Sequence, residues 1–146
     1  MITAHTTYLG DLRTRAVHVR SGEAIITDAP PDNQGKGEAF SPTDLLATAL
    51  GSCMLTIIGI AARTHDINIE NTALEVTKHM FSDPRRIGKV EIDFYFPQQY
   101  TAREKAIIEK AGRTCPVALS LHPDLEQDIR FHFGVSVPAS QSEPGT

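Results

Sequence analysis

The stretch Ser41-Pro42-Thr43-Asp44-Leu45-Leu46-Ala47-Thr48-Ala49-Leu50-Gly51-Ser52-Cys53, continuing as Met54-Leu55-Thr56-Ile57-Ile58-Gly59-Ile60-Ala61-Ala62, decides how this chain folds. Ser41 suits a helix cap, Pro42 fits the first helical position, and Asp44 sets a carboxylate at the positive end of the helix dipole. From Leu45 to Ala62 the sequence is apolar or small nearly all the way round. A helix of that kind is buried in a protein core or spans a membrane. The run is about long enough to span. Thr48, Gly51, Ser52, Thr56 and Gly59 interrupt it, however, and an amphipathic domain follows. Ala47, Ala49, Gly51 and Ser52 would let another helix approach closely. The reading is a buried core helix, with no membrane partner.

Working outward, Ala29 to Ala39 holds Pro30, Pro31, Asp32, Asn33, Gly35 and Gly37, which only a loop accommodates. Upstream, Ala16 to Val19 and Glu23 to Thr27 suit short strands joined by a tight turn at Ser21-Gly22. Downstream, Leu74 to Phe81 and Gly88 to Phe96 alternate as half-buried strands do, and Ser82-Asp83-Pro84 supplies the turn of an antiparallel hairpin. Thr101-Ala102-Arg103-Glu104 forms a capping box for a helix that Gly112 can end. Cys115-Pro116 opens a second, short helix, and Ile129 to Val137 reads as a last strand. The order is strands, buried helix, hairpin, helices, strand: an α+β domain with antiparallel sheets. The expectation is a single domain over residues 1–138, followed by a flexible tail over 139–146.

Bulk properties narrow the function. The chain has 146 residues, a formal net charge of −4 and scattered basic residues, so no basic stripe is available to nucleic acid. Met1 to Leu12 has no basic start, apolar run or cleavage site, so it does not read as a signal peptide and a cytoplasmic location is expected. In a reducing compartment, a pair of cysteines is more often catalytic or metal-binding than a structural staple.

The chemistry rests on those two cysteines, Cys53 and Cys115. Cys53 lies within the apolar helix, between Ser52 and Met54. Buried free cysteine commonly acts as a small hydrophobe, and burial raises a thiol pKa unless a positive group stands near. A reactive Cys53 therefore needs a donor from elsewhere in the fold. Cys115 is placed to cap the helix opened by Pro116, where unpaired amides would favour thiolate and lower its pKa. Arg113 could assist it or point to water. No close cysteine pair or phosphate-binding glycine loop occurs, so neither a metal nor a nucleotide cofactor is expected.

The helix-opening segment Ser41 to Cys53 resembles the signature of the OsmC/Ohr family, in which a Pro-opened helix runs through small residues to a reactive cysteine. Ala111-Gly112-Arg113-Thr114-Cys115-Pro116-Val117 resembles that family's second cysteine motif, and the hairpin and last strand fall in the family's order. This resemblance implies the OsmC-like fold as an intertwined homodimer, with sites at the subunit interface. It implies a thiol peroxidase of organic hydroperoxides, with Cys53 attacking peroxide and Cys115 resolving the resulting sulfenic acid as a disulfide. A dithiol or lipoylated protein would be the reductant, with no bound cofactor or metal. It further implies an arginine on the N-terminal strands holding the thiolate: Arg13 by position, with Arg15 and Arg20 nearby. The arginine's carboxylate partner is where this sequence departs. The family's well-known peroxidases place glutamate directly after the helix-opening proline, and here Thr43 stands there. Asp44 or Glu38 is left for that duty, and Asp44, Glu38 and Met54 are the residues expected on the substrate side. The alternative function is an OsmC-fold protein that binds a small molecule or senses oxidants without efficient turnover.

Overall fold

The computed structural model describes residues 1–138; the expected tail over 139–146 lies outside the described residues. The chain divides into two compact units, Met1–Leu46 and Ala47–Thr146.

In the first unit, β1 (Ala4–Gly10), β2 (Arg13–His18) and β3 (Ala24–Asp28) form a three-stranded antiparallel sheet in that order. The sequence reading found the β2–β3 hairpin and missed β1. Its residues, Ala-His-Thr-Thr-Tyr-Leu-Gly, show no apolar alternation, and all but Gly10 are exposed. The β1–β2 connection is a two-residue turn at Asp11 and Leu12, both with positive φ, at 53° and 63°. That is the turn whose twist matches a hairpin. After β3 the chain makes a short 3-10 turn, Pro31–Asn33, and folds back on itself. Gly35 and Gly37 donate to Pro30 and Ala29 carbonyls. A Cβ on Gly35 would lie 1.7 Å from the Ala29 oxygen, so only glycine fits there. This return brings Glu38 beside the end of β3.

Helix α1 (Pro42–Thr64) starts as the sequence indicates. Asp44 N–H donates to Ser41 Oγ at 3.0 Å and Ser41 N–H to an Asp44 carboxylate oxygen at 2.9 Å, a reciprocal capping box.

In the second unit, β4 (Ala73–Phe81) and β5 (Arg86–Phe96) make the expected antiparallel hairpin. The long strand β5 alternates strictly. Val90, Ile92, Phe94 and Phe96 are fully buried, while Lys89, Glu91, Asp93 and Tyr95 face outward. Helix α2 (Ala102–Gly112), capped by Thr101 on the Glu104 amide, and the short α3 (Pro116–Ser120) lead to β6 (Glu126–Phe133). β6 pairs with β5 in parallel, from Lys89 opposite Glu126 to Phe96 opposite Phe133. The expectation of purely antiparallel sheets is thus corrected for this one. A parallel partner needs a long crossover, and α2 and α3 supply it.

The core is the inner face of this sheet packed on α1. Leu50, Met54 and Ile58 of α1 join Val90, Ile92, Phe94 and Ile108 in it. Small residues on α1 serve this contact rather than a helix partner: a Cβ on Gly51 would stand 3.0 Å from Leu74 Cδ1 and 3.3 Å from Val76 Cγ2. One stripe of α1, Ala47, Leu50, Gly51, Met54, Ile58 and Ala62, is buried. Leu46, Ala49 and Ile60 are exposed in the single chain, although α1 is long and apolar enough to cross a membrane by length and composition. The expected all-round burial is therefore one-sided within one copy.

Candidate functional site

Two constellations carry chemistry, one in each unit. In the second unit, Cys53 stands three turns into α1 at partial exposure, and Cys115 caps α3 in full burial. Both are free thiols. They are brought together: Cys53 is near enough to Cys115 to raise its pKa. Cys115 Sγ also accepts the Ala118 amide at 3.3 Å. Sequence reasoning placed this cap correctly and misjudged its consequence. The Cys115 pKa is raised, first because burial penalises the thiolate. The Ala118 and Val117 amides lower it but are outweighed, and proximity to Cys53 raises it further. Cys115 is therefore a protonated donor at neutral pH. Arg113 does not turn to this thiol's aid; its guanidinium lies over the Phe131 ring at 5.5 Å.

In the first unit, Arg13 opens β2 directly opposite Asp28, the last residue of β3. Arg13 Nε donates to one Asp28 oxygen at 2.7 Å and Nη2 to the other at 2.8 Å. Nη2 also donates to Glu38 at 2.8 Å. Asp28 is 1% exposed and accepts the Glu38 amide at 3.0 Å as well. The Asp28 pKa lies below the ordinary carboxylate range, chiefly through the Arg13 hydrogen bonds, and the Arg13 pKa is raised, chiefly by Asp28 and next by Glu38.

Of the carboxylates singled out in sequence, Glu38 reaches Arg13 and Asp44 serves as half of the helix capping box. Met54, expected on the substrate side, is 1% exposed and packed in the core. It has no exposed surface to offer a ligand within this chain, and its observed role is packing. Asp28 was missed. Carrying the expected β2–β3 pairing back toward the amino end of β2 sets Arg13 opposite Asp28, so the register held the signal. Among the described residues, no group of three or more His, Cys, Asp or Glu side chains could hold a metal ion.

The arrangement resembles known proteins over nearly its whole length. A family model described as OsmC-like protein matches residues 35–140. A protein from Psychrobacter arcticus 273-4, provisionally named as an osmotic stress induced and detoxification response protein, is 57% identical, with 90% of this chain and 96% of that chain covered and a TM-score of 0.88. At lower identity the fold persists. An organic hydroperoxide resistance protein OsmC from Legionella pneumophila is 16% identical, over 90% of this chain and 98% of that one, with a TM-score of 0.68. An organic hydroperoxide resistance protein from Elizabethkingia anophelis is 17% identical, over 91% and 97%, with a TM-score of 0.69. No curated protein matches the chain. The fold is that of the OsmC/Ohr proteins, and the chain belongs to the OsmC-like family.

Proposed function

We propose that this protein is a thiol-dependent peroxidase that reduces organic hydroperoxides. The observation that carries the reading is the Cys53–Cys115 proximity, a partly exposed thiol on an apolar helix beside a buried one whose pKa is raised. Relatives of the same fold named for organic hydroperoxide resistance support it.

The Cys53 thiolate attacks the terminal oxygen of a hydroperoxide. The O–O bond breaks, an alkoxide leaves and takes a proton to become the alcohol, and Cys53 becomes a sulfenic acid. The Cys115 sulfur then attacks the Cys53 sulfur, its proton leaving with the sulfenic oxygen as water, and a disulfide forms. Because Cys115 holds its proton tightly, it is suited to follow rather than initiate. A dithiol, free or carried on a lipoylated protein, returns both cysteines to thiols by exchange through a mixed disulfide. The family resemblance gives Arg13 the duty toward the thiolate, and within its own unit Arg13 is paired with Asp28 and Glu38, in a chain that has Thr43 where the family's peroxidases have glutamate. No metal or organic cofactor enters these steps. The working state is a cytoplasmic homodimer. Exposed Leu46 and Ile60 on α1, with Leu9, Leu12, Ile25 and Phe40 on the first unit, are apolar surface that a second copy covers.

Stopped-flow consumption of cumene hydroperoxide and of hydrogen peroxide, with a lipoyl dithiol as reductant, tests the proposal. Fast turnover biased to the organic peroxide is the expected result. Folded protein with free thiols and no turnover would instead favour ligand binding or oxidant sensing.

A further inference from the structure

We propose that the reducing dithiol enters at Cys53 and not at Cys115, so that the mixed disulfide of the reduction forms on Cys53 and Cys115 is the sulfur that leaves. The proposal rests on the peroxidase reading and deepens it, by naming the atom at which the reductant reacts.

Access decides the matter. A thiolate attacks a disulfide along the S–S axis, from the side opposite the sulfur that leaves, so the attacked sulfur must be open on its far side. Cys115 is 0% exposed in the single chain, and a further subunit can only cover it more. It lies in the same core cluster as Ile58, Phe94 and Ile108. The helix it opens is also tied down. The Cys115 carbonyl accepts the Leu119 amide at 3.2 Å, and its Sγ accepts the Ala118 amide at 3.3 Å. Gln127, on β6, donates its side-chain amide to the Ala118 carbonyl at 3.1 Å. Val117, Ala118 and Leu121 pack against the core. A reductant aimed at Cys115 would have to lift α3 away from β6. Cys53 needs no such opening: it is partly exposed, on a helix whose Ser52 and Thr56 are exposed beside it.

The chemistry of departure is weighed against this. Burial pushes the Cys115 thiol up, and a thiol of raised pKa is the slower leaving group. That slows the step without redirecting it, because a sulfur with no open side is not attacked at all. The Ala118 amide meets the departing sulfur, which then takes a proton. Protonated, Cys115 is a poor nucleophile and does not close the disulfide again at once. The second thiolate of the dithiol attacks the reductant's own sulfur in the mixed disulfide, the bond to Cys53 breaks, and the dithiol departs as a cyclic disulfide. Two electrons pass from the dithiol to the protein. Of its two protons, one goes to Cys115 and the other to Cys53 or solvent.

The test uses the whole protein, oxidised to its Cys53–Cys115 disulfide with diamide, which requires no peroxidase activity. The oxidised protein is mixed with 2-mercaptoethanol and quenched with acid at increasing times. It is then unfolded in urea and capped with N-ethylmaleimide at mildly acidic pH, and the two cysteine peptides are read by mass spectrometry. At the earliest times the mercaptoethanol adduct is expected on Cys53 and the maleimide on Cys115, in about tenfold excess over the reverse. In oxidised protein unfolded beforehand, the two cysteines are expected to share the adduct within about threefold, because burial is gone. An adduct that appears first on Cys115 of the folded protein, or an even split there, would overturn the proposal. So would the same bias to Cys53 in the unfolded chain. Failure of diamide to form the disulfide would overturn both the proposal and the resolving role of Cys115. A disulfide that forms and is reduced at Cys53, in a protein that consumes no cumene hydroperoxide, would overturn the peroxidase reading alone.

Discussion

The Cys115 thiol, with Cys53 as its neighbour, holds its proton above the ordinary thiol range, first because it is wholly buried at the start of α3 and then because Cys53 stands near it. Two neighbouring thiols, only one of them reachable, define an order of events. Cys53→Ser is expected to abolish peroxide turnover. Cys115→Ser is expected to consume one equivalent of peroxide per subunit and then stop, with a sulfenic acid that a dimedone adduct reveals by mass. Steady-state activity retained in Cys53→Ser would remove the assignment.

Met54 separates packing from substrate contact. With its side chain in the core against the β5 strand, Met54→Ala should destabilise the protein by about 2–5 kcal/mol, by lost contacts and the cavity left behind. Met54→Leu, close in volume, should cost under about 1.5 kcal/mol in urea unfolding and leave peroxide kinetics as they are. A large change in KM with unchanged stability would return Met54 to the substrate side.

Where burial wrote a period into the chain, the fold was legible. Strand β5 alternates between core and solvent along its length, and both the Ser41 and Thr101 caps are plain in the sequence. Strand β1 was not, since a strand exposed on both faces carries no such period. The parallel pairing of β6 was hidden for another reason. Alternation reports which face is buried and is silent on strand direction. At the site, both cysteines and Arg13 were legible as residue types. The sign of the Cys115 shift was not, because it is a contest between amides and burial that only the packed thiol decides. Nor was the Arg13–Asp28 clamp, which is a property of register.

The outer side of α1 tests the assembly. Ile60 is 58% exposed in the single chain, an apolar side chain on a helix with few charges to keep it in water. Ile60→Asp should leave the fold of one copy intact and shift the protein from dimer to monomer in light scattering at micromolar concentration. A charge buried without a partner at an interface costs several kcal/mol, enough to change the state outright. A parent protein that is already monomeric would refute the proposed dimer.

The buried thiol also predicts a pH dependence, and its sign follows from the direction of the shift. The Cys115 pKa is higher in the folded protein than the ordinary 9.0, so the folded state binds more protons above that pH. The stability associated with the protonated thiol is thus complete below the ordinary thiol pKa and is lost as pH rises through the folded value. Cys115→Ala, which cannot titrate, should show a flatter alkaline limb than the parent in urea unfolding measured from pH 7 upward. The difference in stability between the two should shrink as pH rises. In the Cys53→Ser protein, whose Cys115 is still buried, iodoacetamide should label Cys115 slowly at pH 8 and rapidly only once urea unfolds the chain. Fast labelling of the folded protein would mean that the amides of α3 outweigh burial, and the order of events argued for the two thiols would have to be reversed.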